Sequence, residues 1–250
     1  MEGMIAPLLS GESLARRYGE AIALRPTSLE VRAGEIVAIV GANGCGKSSL
    51  LRALAGLADG AGCAGETRCD GLRITREQLA TRVAFVPQRP AVSADFTARE
   101  VVRLGRHARG RDEGAVERAL AAVGLAQRAE LPVHTLSGGE RQRVAVARAL
   151  CQLDGADRPV LLLDEPFSGI DPGEVARIVS ALRVLAGRGG VVLSLHDPGL
   201  ARGIATRALV MRAGEVVAEG DARGVLTPEV LSAAYGAPME FASAWIAARL

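Results

Sequence analysis

Gly41-Ala42-Asn43-Gly44-Cys45-Gly46-Lys47-Ser48 fits the pattern G-x-x-x-x-G-K-[ST], which spaces glycines, a lysine and a hydroxyl for holding phosphate. The glycines let a loop turn tightly enough for successive backbone N–H groups to point at one anion. An apolar run precedes the loop and a helical pattern at 47–56 follows it. That places the loop at a helix N-terminus, where partial positive charge gathers. Lys47 is expected to reach the β- and γ-phosphates of a nucleotide, and the Ser48 hydroxyl to ligate Mg²⁺. Composition singles out the same residue: of 30 basic residues, Lys47 is the only lysine. The chain uses arginine for generic positive charge, so Lys47 marks a place that needs a compact ammonium on a flexible stem.

Val160-Leu161-Leu162-Leu163-Asp164-Glu165 is an apolar run ending in two acids. Carboxylates at the C-terminal end of a buried strand stand where ligands of α/β proteins bind. Asp164 is expected to hold the Mg²⁺ shell and Glu165 to polarise an attacking water. Leu136-Ser137-Gly138-Gly139-Glu140-Arg141-Gln142 contains a capping box. It reads as a second helix N-terminus with a free hydroxyl, and so as a second anion site. One nucleotide does not need two such sites from one chain; the second is expected to address the nucleotide of another copy.

These groups need elements to hold them. Residues 28–32 and 35–40 read as strands joined at Gly34, and 83–86 as another strand. The runs 160–163 and 191–195 read as buried parallel strands. Residues 208–211 and 216–219 read as a hairpin. Its turn, Arg212-Ala213-Gly214-Glu215, repeats Arg32-Ala33-Gly34-Glu35, which predicts one turn chemistry used twice. Between 90 and 152 strands give way to helices opened by capping boxes at Thr97 and Ser137, with another helix at 112–123. Pro172 after Asp171 predicts a helix with proline at its first position.

The bulk numbers set limits. The chain has 250 residues, 49% apolar and 23% charged, as a globular α/β chain should. A net charge of +2 with dispersed arginines argues against a nucleic-acid partner. No apolar run approaches the ~20 residues of a spanning helix, and no signal peptide is read at the N-terminus. Cys45, Cys63, Cys69 and Cys151 match no zinc spacing and are expected to be free thiols. Two readings of Cys45 stand: a space-filling residue, or a thiol whose pKa is lowered by Lys47 and the helix start, so that thiol reagents inhibit and ATP protects.

With these motifs together, the chain resembles the ATP-binding subunit of ABC transporters from about residue 14 to 236. Lys47 and its loop match the Walker A motif, Asp164 and Glu165 the Walker B motif, and 136–142 the family signature. The resemblance implies an α/β P-loop NTPase core with a mainly parallel sheet, an antiparallel β part and an inserted helical lobe. The expected boundaries are a core at about 10–89 and 153–225, a lobe at 90–152 and a tail at 226–250. It implies that ATP is held by Gly41, Asn43, Gly44, Cys45, Gly46, Lys47, Ser48 and Ser49. From a second copy, Ser137, Gly138, Gly139, Glu140 and Asp171 join them. Tyr18 is placed to stack on adenine, beside the alternative of a strand tyrosine facing the core. Gln88 is implied to touch Mg²⁺ and the lytic water, and His196 the γ-phosphate. His107 and His134 have no such context and read as surface residues. Ser168-Gly169-Ile170-Asp171 departs from the more usual Ser-Ala-Leu-Asp. The implied partners are a second copy, a transmembrane permease and a solute-binding protein, at the cytoplasmic face of the membrane. Residues 96–106 and 226–236 resemble importer ATPases for iron-siderophore, haem or cobalamin. A zinc or manganese importer, or a soluble scaffold as in iron–sulfur assembly, is the alternative.

Overall fold

The computed structural model describes residues 6–57, 60–90 and 95–240. Strands β1 (Leu9–Tyr18), β2 (Ala21–Val31) and β3 (Ile36–Gly41) lead into α1 (Lys47–Leu54). Next come β4 (Cys63–Cys69), β5 (Leu72–Arg73), α2 (Arg76–Thr81) and β6 (Val83–Val86). Three helices follow: α3 (Ala98–Arg103), α4 (Glu113–Ala122) and α5 (Gly138–Leu153). The chain then runs through β7 (Val160–Asp164), α6 (Pro172–Ala186), β8 (Gly190–Leu195) and α7 (Pro198–Ile204). It continues with β9 (Arg207–Arg212), β10 (Glu215–Asp221), α8 (Ala222–Val225) and α9 (Pro228–Tyr235).

Six strands form one sheet in the order β10-β9-β3-β8-β7-β6, parallel except for β10 at one edge. A second, antiparallel sheet has the order β2-β1-β4-β5. This is the expected α/β class, with a mainly parallel sheet and an antiparallel part. The strands expected on either side of Gly34 are both present, and they lie in different sheets, so that turn carries the chain from one sheet to the other.

The repeated tetrapeptide makes two different turns. In the β9–β10 hairpin Ala213 and Gly214 both have positive φ (49° and 82°), the primed turn that suits strand twist. At 32–35 only Gly34 does (83°), as a type II turn requires. The connection, not the four residues, decides which turn forms.

Every residue of β3, β7 and β8 is buried, which is why they read as unbroken apolar runs. Alternate residues serve opposite faces of the sheet. Val37 and Ile39 of β3, with Leu162 and Val192, share a core with Leu50, Leu51 and Leu54 of α1. Ala38 and Val40 join the core under α5 and α6. Each fully buried leucine of α1 contributes about 1.5–3 kcal/mol to holding the helix, and with it the loop at its start, against the sheet. The helix starts follow the sequence: Thr97, Asp112 and Ser137 each accept a backbone N–H at an N-cap, and α6 opens on Pro172. Helix α9 packs on β9 and β3. Of the expected tail at 226–250, residues 241–250 lie outside the described residues. Among the described residues, no helix is long and apolar enough to cross a membrane.

Candidate active site

Strand β3 delivers Gly41 to the phosphate loop and α1 leaves it at Lys47. Gly46 has φ 107°, and a Cβ there would stand 2.5 Å from the Ala23 carbonyl, so glycine is required on both counts. Lys47 is 5% exposed, and its ammonium donates to the carbonyls of Gly41 (2.7 Å) and Ala42 (3.2 Å). A cavity of about 410 Å³ opens beside it. Its wall brings together Asn43, Gly44, Gly46, Lys47, Ser48, Ser49, Gln88, Glu165 and His196, residues scattered over more than half the chain and all expected from the sequence. Ala23 completes it, with no sequence signal to announce it. A larger groove of about 950 Å³ between β2 and β10 contains none of the candidate residues.

Glu165 is the point of convergence. It is 8% exposed at the end of β7 and has φ 48°. Its Oε1 meets His196 Nε2 at 2.5 Å, and Gln88 Nε2 donates to its Oε2. Asp164 lies deeper, 1% exposed, and accepts a hydrogen bond from the Ser194 hydroxyl at 2.6 Å. Sequence reasoning passed over Ser194, although a lone hydroxyl in Val191-Val192-Leu193-Ser194-Leu195 is a signal in itself.

The second glycine-bearing segment sits apart from this cavity. Its Ser137 and Glu140 form the expected capping box: Ser137 Oγ accepts the Glu140 N–H (3.2 Å), and Glu140 accepts the Ser137 N–H (2.8 Å). Both side chains thereby cap the start of α5, and Arg128 pairs with Glu140 at 2.9 Å. Gly138 is exposed, as is Asp171 at the N-cap of α6. Tyr18 is 50% exposed at the end of β1, with the Arg16 guanidinium 4.6 Å from its ring centre. It does not face the core, which removes that alternative, and it is not part of the cavity wall. His107 and His134 are exposed, as expected.

Of the two readings of Cys45, burial favours the space-filling one: the thiol is buried, and burial pushes its pKa up further than Lys47 pulls it down.

Hard oxygen donors suit Mg²⁺: the Ser48 hydroxyl, the Gln88 amide and the buried Asp164 carboxylate, for which one neighbouring hydroxyl does not neutralise the charge. A basic, glycine-lined cradle next to a held carboxylate suits a polyphosphate and its attacking water.

The family model for the ABC transporter matches residues 24–168. The chain is 41% identical over 251 residues to the hemin import ATP-binding protein HmuV of Nocardia farcinica, covering 95% of this chain and 82% of that one. It is 41% identical over 216 residues to the cobalamin import ATP-binding protein BtuD of Halobacterium salinarum, 83% of this chain and 53% of that longer one. Among solved structures it is similar to the dimeric bacterial ABC transporter cassette MJ0796, with a TM-score of 0.74 and 28% identity, covering 86% of this chain and 99% of that one. The family match takes in the phosphate loop, the second glycine-bearing segment and Glu165, and the chain belongs to the ABC transporter family as an ATP-binding, ATP-hydrolysing subunit.

Proposed function

We propose that the chain energises an importer, with haem as first cargo and an iron-siderophore or cobalamin next. The observation that carries this is the 41% identity to a hemin import subunit over 95% of the chain. The work is divided between a core at about 10–89 and 153–225 and a helical lobe at 90–152, with a tail from 226. Two copies pack head to tail, each signature helix facing the other's phosphate loop. Support comes from the separation of Gly138 and Asp171 from the cavity of their own chain, and from the dimeric relative.

In this reading the phosphate loop, Lys47 and Ser49 bind ATP, Tyr18 stacks on adenine, and Glu165 takes the proton of the lytic water while His196 and Gln88 hold its carboxylate. When bound, Mg²⁺ neutralises phosphate charge and is held by Ser48, Asp164 and Gln88. Ser137, Gly138, Gly139, Glu140 and Asp171 act toward the partner copy's nucleotide. Closing and reopening of the pair drives a permease that docks on the lobe, where Phe96 and Leu104 are 40% and 52% exposed beside Arg103 and Arg106. The subunit then sits peripherally at the cytoplasmic face, and a solute-binding protein acts through the permease. Purification of the tagged chain from native membranes in mild detergent tests this. A polytopic permease is expected to come with it; recovery of soluble proteins alone from intact membranes would overturn the transporter reading in favour of a soluble scaffold.

A further inference from the structure

Ser194 is a fully buried hydroxyl inside an apolar strand. Such a group is tolerated only when its hydrogen bonds are made. Both are: Oγ donates to Asp164 Oδ1 at 2.6 Å and accepts the backbone N–H of Glu165 at 2.9 Å. The parallel register sets Ser194 beside Asp164 on one side and beside Ile39, two residues before Gly41, on the other. One hydroxyl therefore stands between the strand that delivers the phosphate loop and the strand that delivers the two acids. It lies on the sheet face that α1 covers, since Val192 and Ile39 share a core with Leu50 and Leu51.

The second bond matters because of where Glu165 is. Its φ of 48° lies in the left-handed region, which a non-glycine residue occupies only when its surroundings hold it there. The Ser194 oxygen holds the amide of that turn, and the turn sends the side chain to His196 and Gln88. The first bond ties one Asp164 oxygen and leaves the other to be aimed as a ligand.

We infer that Ser194 is a positioning residue for hydrolysis, which orients the metal-binding carboxylate of Asp164 and fixes the strained turn that presents Glu165. This rests on the reading of Asp164 as Mg²⁺ ligand and Glu165 as base. Ser194 touches no substrate, because its hydroxyl is closed to the cavity and used in both directions.

The test uses the purified 250-residue chain, a fluorescent ATP analogue and steady-state hydrolysis. In Ser194→Ala, analogue binding in EDTA is expected to stay within about twofold, while the Mg²⁺ concentration that half-tightens binding rises about 10- to 100-fold. Hydrolysis should show kcat falling by a similar factor with KM changed less than about threefold, the mark of an interaction made in the transition state. Ser194→Thr keeps the hydroxyl and is expected to recover both to within about fivefold. Should the alanine variant fail to fold, Ser194→Cys, with a weakly hydrogen-bonding thiol, is expected to show the same shift. Wild-type Mg²⁺ dependence in a folded Ala or Cys variant overturns the inference, as does an equal loss of binding with and without Mg²⁺. Asp164→Asn separates the two levels. If it leaves Mg²⁺ dependence unmoved, the underlying reading has failed; if it shifts that dependence and Ser194→Ala does not, only the role of Ser194 has.

Discussion

Gly139 and Gly169 meet backbone to backbone: a Cβ at Gly139 would stand 2.4 Å from the Gly169 carbonyl oxygen. Gly169 lies four residues past Glu165, so the turn after a chain's own acids rests on the start of the helix proposed to face the other copy's nucleotide. The departure from Ser-Ala-Leu-Asp fits the geometry, since Gly169 has φ 71°.

Gly139→Ala is expected to force that contact apart. Overpacking against backbone costs about 1–3 kcal/mol, read as a fall in Tm of roughly 3–10 °C. A Cβ at Gly138 meets nothing within 4 Å, so Gly138→Ala should keep the wild-type Tm within about 2 °C. Thermal melts of the two variants decide; equal Tm values would count against the contact.

Lys47→Arg keeps the charge and changes its shape. A planar guanidinium cannot take the place of the ammonium of this buried lysine, which donates to the carbonyls of Gly41 and Ala42. Hydrolysis is expected to fall by about 10²-fold or more, with weaker ATP binding, in an otherwise folded chain. Measured ATP affinity and kcat equal to wild type would show that charge alone suffices.

The cysteines predict resistance to thiol reagents. Cys45, Cys69 and Cys151 are buried, burial raises all three, and Cys151 is pushed up to about 11. Cys63, half-buried, is expected to be alkylated first in the native chain, as mass spectrometry of brief iodoacetamide treatment would show. For an acid raised on folding, the neutral form favours the folded state. The contribution of Cys151 is therefore complete below its ordinary value of 9.0 and is lost as pH rises through about 11. The stability difference between wild type and Cys151→Ser should narrow over that range.

The Glu140 carboxyl is held below the usual carboxylate value, first by the Ser137 N–H. Its contribution to starting α5 is present above the ordinary 4.5 and is lost as pH falls through the lowered value. The Tm gap between wild type and Glu140→Gln is expected to close on acidification; a gap that widens would contradict the capping geometry.

What could be read from the sequence follows from the kind of burial. Strands β3, β7 and β8 are covered on both faces and announce themselves as apolar runs, and the motifs at their ends stand out because phosphate chemistry restricts residue choice. Strand β1 carries Glu12, Arg16 and Arg17 and pairs with β2 through register shifts, so no period of two survives to be seen. Strand β4, the two-residue β5 and helix α9 were likewise missed, their stability coming from packing rather than pattern. Ser194 was missed for the opposite reason: its signal was one polar residue in an apolar strand, and its meaning required knowing that β8 lies beside β7.

In the proposed cycle Glu165 drives hydrolysis inside an ATP-bridged pair of chains, and Glu165→Gln, studied by light scattering with ATP and Mg²⁺, separates the two parts of that proposal. Hydrolysis is expected to fall by about 10²- to 10⁴-fold, with a stable dimer in ATP and a monomer in ADP. A variant that binds ATP normally yet stays monomeric, or that hydrolyses it at the wild-type rate, would contradict the account.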